Sequence, residues 1–400
     1  MAYDYAAMGA EVLDETVALR RAIHAEPEIG LHCPLTTAKA KAALAGLSLE
    51  IRDSRSTTGF VAILRGRHGG NGRTVLLRGD MDALPMQEET GLPFASTVAG
   101  AMHACGHDSH TAMLVGAAKA LAARRESLPG TVVFMFQPGE EGFHGARFMM
   151  EDGLLADPTP DAAFALHVSP NMPAGVVVSR AGPLLASANT LHARIIGRGG
   201  HAAMPHENID PVPIACEIVG ALQSFVARRV AVQDPAVLSI TSIHAGSAHN
   251  IIPDACELLG TLRTLSESTR TLMFDGFKQV VMGIAAAHGA RAEAWIDDGY
   301  PVTMNDPRAI DLFRSAAIAI GGEDAYQTMR APMMGGEDFS YVLRDVPGAM
   351  AFIGAAPPGT DPATNPPLHN TRMTIDEAVM ARGVALHCAL AIGYLENGFG

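Results

Sequence analysis

An α/β protein with a second unit inserted into it is the fold class that this 400-residue sequence predicts, and three observations predict it. Short apolar runs bounded by Gly, Pro or Asp alternate with helical segments across residues 59–166 and again across 307–397, the pattern of a mixed, at least partly parallel sheet flanked by helices. Between them, residues 185–296 change to strand, helix, strand, strand, helix, strand, a ferredoxin-like βαββαβ unit. The length, set against roughly 150 residues per domain, asks for more than one domain.

The elements follow in order. Residues 10–47 read as helix on the spacing of Val12, Leu19, Ile23, Ala38, Ala42 and Leu44, interrupted by His24-Ala-Glu-Pro-Glu-Ile-Gly. Strands are expected at 59–64, 74–77, 131–136, 162–166 and 349–353, with helices near 109–125, 144–151, 307–321 and 375–397. In the insert, strands are expected at 190–196, 236–245, 256–265 and 291–296, and helices at 211–228 and 267–287. The domains expected are therefore 1–184 and 297–400 as two parts of one, with 185–296 as the other. No internal repeat interrupts this pattern.

Composition removes several function classes. A hydrophobic share of 48% with 18% charged residues is ample for a core and excludes disorder. The net charge of −13 and the lack of a basic run longer than Arg124-Arg125 or Arg228-Arg229 disfavour nucleic acid as a partner. Uninterrupted apolar stretches stay short of the roughly 18 residues of a membrane span, and the N-terminus carries acids where a signal peptide is basic, so no membrane partner is expected. The five cysteines, at 33, 105, 216, 256 and 388, form no CxxC pair and fit a reducing, cytoplasmic compartment.

Chemistry-bearing residues then fall in clusters. Arg78-Gly-Asp80-Met-Asp82 follows an apolar strand, at the end where α/β sheets place ligand sites; the two acids could hold or orient a metal, or simply cap a turn. His103-Ala-Cys105-Gly-His107-Asp108-Ser-His110 opens a helix, and thiolate with imidazole suits zinc, iron, nickel or manganese. A helix N-terminus also lowers a thiol pKa, so a nucleophilic Cys105 is the competing reading. Glu140-Glu141 follows another strand: one carboxylate can bind a metal while its neighbour moves a proton, or the pair is a charged loop. His167 ends a further strand and reads, taken singly, as a core histidine. Gly-Gly-His201-Ala-Ala-Met-Pro-His206 is a glycine-rich hairpin that frees an imidazole, or a hairpin with a surface histidine. Asn250 and Arg263 offer an amide and a guanidinium, the latter the natural fork for a substrate carboxylate. Gly335-Gly336-Glu-Asp338-Phe-Ser and Pro-Pro-Leu-His369-Asn complete the set.

In this order, from Arg20-Arg-Ala-Ile-His24-Ala-Glu-Pro-Glu-Ile-Gly30 to His369, the segments resemble the aminoacylase/carboxypeptidase family of co-catalytic metallopeptidases. The branch they resemble is that of hippurate hydrolases, N-acyl-amino acid amidohydrolases and indoleacetyl-amino acid hydrolases. The resemblance implies a catalytic α/β domain with two divalent ions, Mn2+ or Zn2+ with Ni2+ or Co2+ as alternatives, and a lid that also makes a homodimer or homotetramer. It implies Cys105 as a bridging ligand with His107, Glu141, His167 and His369, and Glu140 as the general base. Asp80 stands where other branches have a metal-binding His, and Asp82 is left to orient the site. Leu31-His32-Cys33 departs from the acids that relatives carry there.

By the same resemblance His201 supplies an oxyanion donor from the lid to the partner's site, and Asn250, Arg263 and Gly336 hold the substrate. The reaction implied is attack of a metal-activated water on the amide of a small N-acyl amino acid, releasing a carboxylate and an amino acid. A dipeptidase or N-carbamoyl-amino acid hydrolase on the same scaffold is the alternative within that chemistry. A Cys105-nucleophile hydrolase, insensitive to chelation, and a non-catalytic binding protein, which needs no Glu140, are the alternatives outside it.

Overall fold

The central strands run past the apolar stretches that announce them, and that extension builds the site. The structure, a computed structural model, describes residues 3–66 and 72–400. It forms two compact units: Met1–Leu184 with Met304–Ala331 and Asp338–Gly400, and Leu185–Thr303 with Pro332–Glu337.

The first unit holds an eight-stranded sheet in the order Glu50–Asp53, Phe60–Arg65, Thr131–Gln137, Thr74–Asp80, Ala162–Ser169, Gly348–Gly354, Val177–Ser179, Tyr326–Thr328. The four middle strands, from Thr131–Gln137 to Gly348–Gly354, are parallel; Phe60–Arg65 and Val177–Ser179 join them antiparallel, so the sheet is mixed. Three of those four are buried along their whole length, as strands covered on both faces are, and the fourth in all but its first residue. Helices His107–Ala122 and Val379–Asn397 supply much of the cover, packing Leu114, Val384 and Leu386 into one core with Leu77, Phe134 and Phe164. Val379–Asn397 is long and apolar enough to cross a membrane by length and composition, but 78% of its window is buried inside this unit.

Where the central strands run longer than expected, buried polar groups explain it. The strand expected at 74–77 continues to Asp80 because Arg78 and Asp80, 1% and 0% exposed, pair at 2.5 Å. Buried charge is tolerated only when paired and hydrogen-bonded, and the apolar pattern gives no sign of that pairing. The strand expected at 162–166 likewise runs on through His167 to Ser169. The helix expected from 109 begins at His107, after Gly106 at φ +86 as its cap. The helix expected from 375 begins at Val379, and the edge strands Glu50–Asp53, Val177–Ser179 and Tyr326–Thr328 were too short to carry a periodic signal.

The second unit is a four-stranded antiparallel sheet in the order Ala236–Ala245, Ala255–Thr264, Ala188–Ile196, Arg291–Tyr300. This is the ferredoxin-like order. Helices Pro211–Arg229 and Glu267–Ala287 cover one face, closing Ile218 and Phe277 over Leu191, Ala193, Ile195, Leu258 and Leu262. Alternate residues point the other way, leaving Leu259 and Trp295 exposed. Asp210 and Ser266 cap the two helices by accepting from the amides of Val212 and Thr269.

Candidate metal centre

Parallel pairing brings three loaded strand ends together. Asp80 pairs with Gln137, so Asp82 and the Glu140-Glu141 pair leave the sheet side by side, and His167 lies near the end of the neighbouring parallel strand. Asp82 then couples the first two: its carboxylate accepts the amides of Glu140 at 2.9 Å and Glu141 at 3.1 Å. Gly106 lets the chain turn from Cys105 to His107; a Cβ there would lie 2.4 Å from Val168. His369 adopts φ +64, uncommon outside glycine, held by its amide donating to the Ala104 carbonyl at 2.8 Å.

The ligand atoms of Cys105, His107 and His167 lie within 4.8 Å of one another, and so do those of Cys105, Glu141 and His369. The two groups share the Cys105 thiol. Within them Cys105 Sγ is 3.4 Å from His167 Nε2, and His369 Nε2 is 3.2 Å from Glu141 Oε1. Glu140 joins His107 and Glu141 in a further group of the same span.

Backbone carbonyls fix which ring nitrogens face the site. His107 Nδ1 meets the Asp82 carbonyl at 2.8 Å and His167 Nδ1 that of Val168 at 2.7 Å. A carbonyl only accepts, so both Nδ1 atoms carry protons and both Nε2 atoms are left to bind. Among the described residues His107 Nε2 is buried with no hydrogen-bond partner, and Glu141 Oε1 has none beyond its ion pair with His369. An orphan such as His107 Nε2 costs about 1–3 kcal/mol unless something else satisfies it. A thiol, three imidazoles and a carboxylate around an orphaned imidazole nitrogen fit divalent cations of the zinc, manganese, nickel or cobalt kind.

The electrostatics agree. Burial disfavours charge on His107, yet Asp80 and Cys105 outweigh it and hold its pKa well above the usual histidine value. Cys105 and Glu141 push His369 up to about 10. Burial, with His110 beside it, holds His167 well below the usual value, and burial raises the Cys105 thiol. A cluster that draws protons onto two of its imidazoles is one in which a dication can replace them.

Behind these groups sits a polar network that the sequence reading did not single out. Asp338 accepts from Arg78 Nη2 at 3.1 Å, from Gln137 Nε2 at 2.8 Å and from the Ala146 amide at 2.9 Å. Asp80, expected as a candidate of uncertain role, is held by Arg78 and by His110 Nδ1 at 2.6 Å, and lies 3.6 Å from His107 Nε2. Arg78, Asp80, His110 and Asp338 lie inside motifs already noted, so for these the signal was position within the motif. Leu31 of the departing Leu31-His32-Cys33 segment packs on the same loop: a Cβ on Gly139 would lie 2.6 Å from it.

The remaining candidates lie in the second unit. His201 is exposed and pairs with Ile251, next to Asn250, whose carbonyl accepts the Ala202 amide at 3.1 Å. Arg263 is half-buried near Gly336, where an added Cβ would lie 3.4 Å from its Nη1. Burial lowers the Arg263 pKa, and among the described residues no side chain or carbonyl hydrogen-bonds its guanidinium.

Comparison with known proteins bears on this site. Residues 76–392 match Peptidase family M20/M25/M40. The chain is 39% identical over 381 residues to the N-acetylcysteine deacetylase of Bacillus subtilis (strain 168), covering 95% of this chain and 96% of that one. It is 36% identical over 393 residues to thermostable carboxypeptidase 2 of Saccharolobus solfataricus, covering 96% of each. Among solved structures, the Bacillus subtilis YXEP protein, described as a dinuclear metal-binding peptidase of the M20 family, superposes with a TM-score of 0.82 at 35% identity, covering 97% of this chain and 99% of that one.

Proposed function

Because the chain belongs to Peptidase family M20/M25/M40, a family of amide- and peptide-bond hydrolases, we propose that it cleaves N-acyl amino acids, hippurate-like, to a carboxylate and a free amino acid. One observation carries the reading: two ligand groups meet at a single thiol, and a second carboxylate, Glu140, stands beside the ligand carboxylate. Cys105, His107 and His167 would hold one ion, and Cys105, Glu141 and His369 the other. When bound, the ions supply Lewis acidity to the scissile carbonyl and lower the pKa of the attacking water.

The protein's own groups do the rest. Glu140 takes the water's proton and returns it to the leaving amine, and Asp82, gripping the amides of Glu140 and Glu141, fixes where that carboxylate stands. Arg263, Asn250 and Gly336 hold the carboxylate of the amino acid half. Arg263 supports this role because a half-buried guanidinium with no hydrogen-bond partner among the described residues can grip an anion. Arg263→Ala is accordingly expected to raise KM for N-acyl amino acids about 10- to 100-fold while sparing the corresponding amides, the range set by hydrogen bonds to charged groups. Equal losses on acids and amides would mean that Arg263 is structural.

Kinetics on N-acetyl and N-benzoyl amino acids, a dipeptide and an N-carbamoyl amino acid test the substrate class. The highest kcat/KM is expected on an N-acyl amino acid; a preference for the dipeptide or the carbamoyl compound transfers the reading to the peptidase or carbamoylase alternative. The proposal includes a cytoplasmic homodimer in which His201 supplies the oxyanion donor to the partner's site. Inactive Glu140→Ala and His201→Ala chains, mixed and allowed to exchange, then regain up to about a quarter of wild-type activity, because half the dimers carry one complete site. No recovery in a verified heterodimer removes that role from His201.

A further inference from the structure

The buried imidazole of His110 lies beside both of the histidines read above as ligands of one ion. Its ring centroid is 4.6 Å from that of His167 at 66° and 5.5 Å from that of His107. It sits three residues after His107 in the first turn of the same helix, on the same face, and is 1% exposed.

Its tautomer follows from its neighbours. The Val168 amide donates to His110 Nε2 at 2.9 Å, and an amide N–H cannot accept, so Nε2 carries a lone pair. The proton is therefore on Nδ1, which donates to Asp80 Oδ1 at 2.6 Å. The Val168 carbonyl in turn accepts from His167 Nδ1 at 2.7 Å. A relay results, from the Asp80 carboxylate through His110 to the amide of Val168, whose carbonyl, in the next peptide, holds His167 Nδ1. Asp80 is anchored at the far end by Arg78.

From this chain of bonds we infer that His110 is a positioning residue: it holds the peptide that joins His167 to Val168, and with it the backbone that carries the His167 ring and leads to the carbonyl that ring grips, and so aims His167 Nε2 at the place where Cys105 and His107 converge. The inference rests on the metal-site reading of Cys105, His107 and His167. Its physical basis is that a ligand imidazole is held by whatever its other nitrogen bonds, and loosening that partner typically weakens metal binding about 10- to 100-fold. Here the partner is the carbonyl of Val168, a residue whose own amide is pinned by a histidine.

Three variants of the full chain test it, each stripped of metal and titrated with Co2+ against a chromophoric chelator while the visible cobalt bands are followed. His110→Phe keeps the ring's bulk and loses both bonds; His110→Gln presents an amide oxygen that can accept from the Val168 amide; His110→Asn stops short of it. Wild type is expected to bind two Co2+ per chain. His110→Phe is expected to bind one of the two about 10- to 100-fold more weakly, with altered bands, while the other stays within a few-fold, and His110→Gln to recover most of the loss.

Wild-type affinity for both ions in His110→Phe overturns the inference, as do equal losses in the Phe and Gln variants, which would mean that His110 only fills space. If His110→Phe gives no cooperative melt, the pair Gln and Asn decides: weaker binding of one ion by Asn supports the relay, and equal binding overturns it. Failure of wild type to bind Co2+ would instead refute the metal-site reading itself.

Discussion

Replacement of Glu140 by Gln is expected to lower kcat by about 10²- to 10⁴-fold with bound metal and KM nearly unchanged. The substitution is almost isosteric. It leaves in place the amide that donates to Asp82 and the neighbouring Glu141, so the loop that carries both carboxylates keeps its anchor. What it removes is one basic oxygen, and with it the proposed route by which a proton leaves the attacking water and reaches the departing amine. Steady-state kinetics on the best N-acyl amino acid, with metal content measured on the same sample, checks it. A variant whose kcat holds while KM climbs makes Glu140 a substrate contact, and one that has shed metal makes it a ligand.

Replacement of Cys105 by Ala is expected to be at least as damaging for a different reason. Both ligand groups contain this thiol, so one substitution withdraws a donor from each. Bound metal should fall from two ions per chain towards none. Hydrolysis should fall with it by about 10³-fold or more, since several kcal/mol of charge stabilisation are at stake and each 1.4 kcal/mol is a factor of ten. The same experiment addresses the nucleophile alternative. Cys105 is 7% exposed and burial raises its pKa, the reverse of what a free nucleophilic thiolate needs. Were it nonetheless the nucleophile, Cys105→Ala would retain both ions and chelation of the wild type would leave activity intact.

These two residues were legible in the sequence because the chemistry is dense there. Cys105 and His107 lie two positions apart at a helix start, and Glu140-Glu141 directly follows an apolar strand. The α/β class and the inserted βαββαβ unit were legible as well, since alternation and helical periodicity record which side of each segment is buried. His167 was ambiguous alone. It became a ligand candidate only by resemblance, and its place beside Cys105 comes from the parallel pairing of Thr74–Asp80 with Ala162–Ser169.

By itself, then, the sequence determined the sheet-and-helix class, the inserted unit and the motif positions of the candidate ligands and base. These are local properties, set by the spacing of apolar residues and by the short reach of a turn. Only the tertiary structure decided that Arg78 could be buried, because its partner Asp338 is 260 residues away, and that strand Thr74–Asp80 therefore runs on to its acidic end. It also decided that His110 is committed to Asp80 and Val168 while His107 and His167 turn Nε2 inward. The reason in each case is the same: a buried polar atom must be satisfied, and what satisfies it comes from a remote strand or backbone group that local pattern does not register.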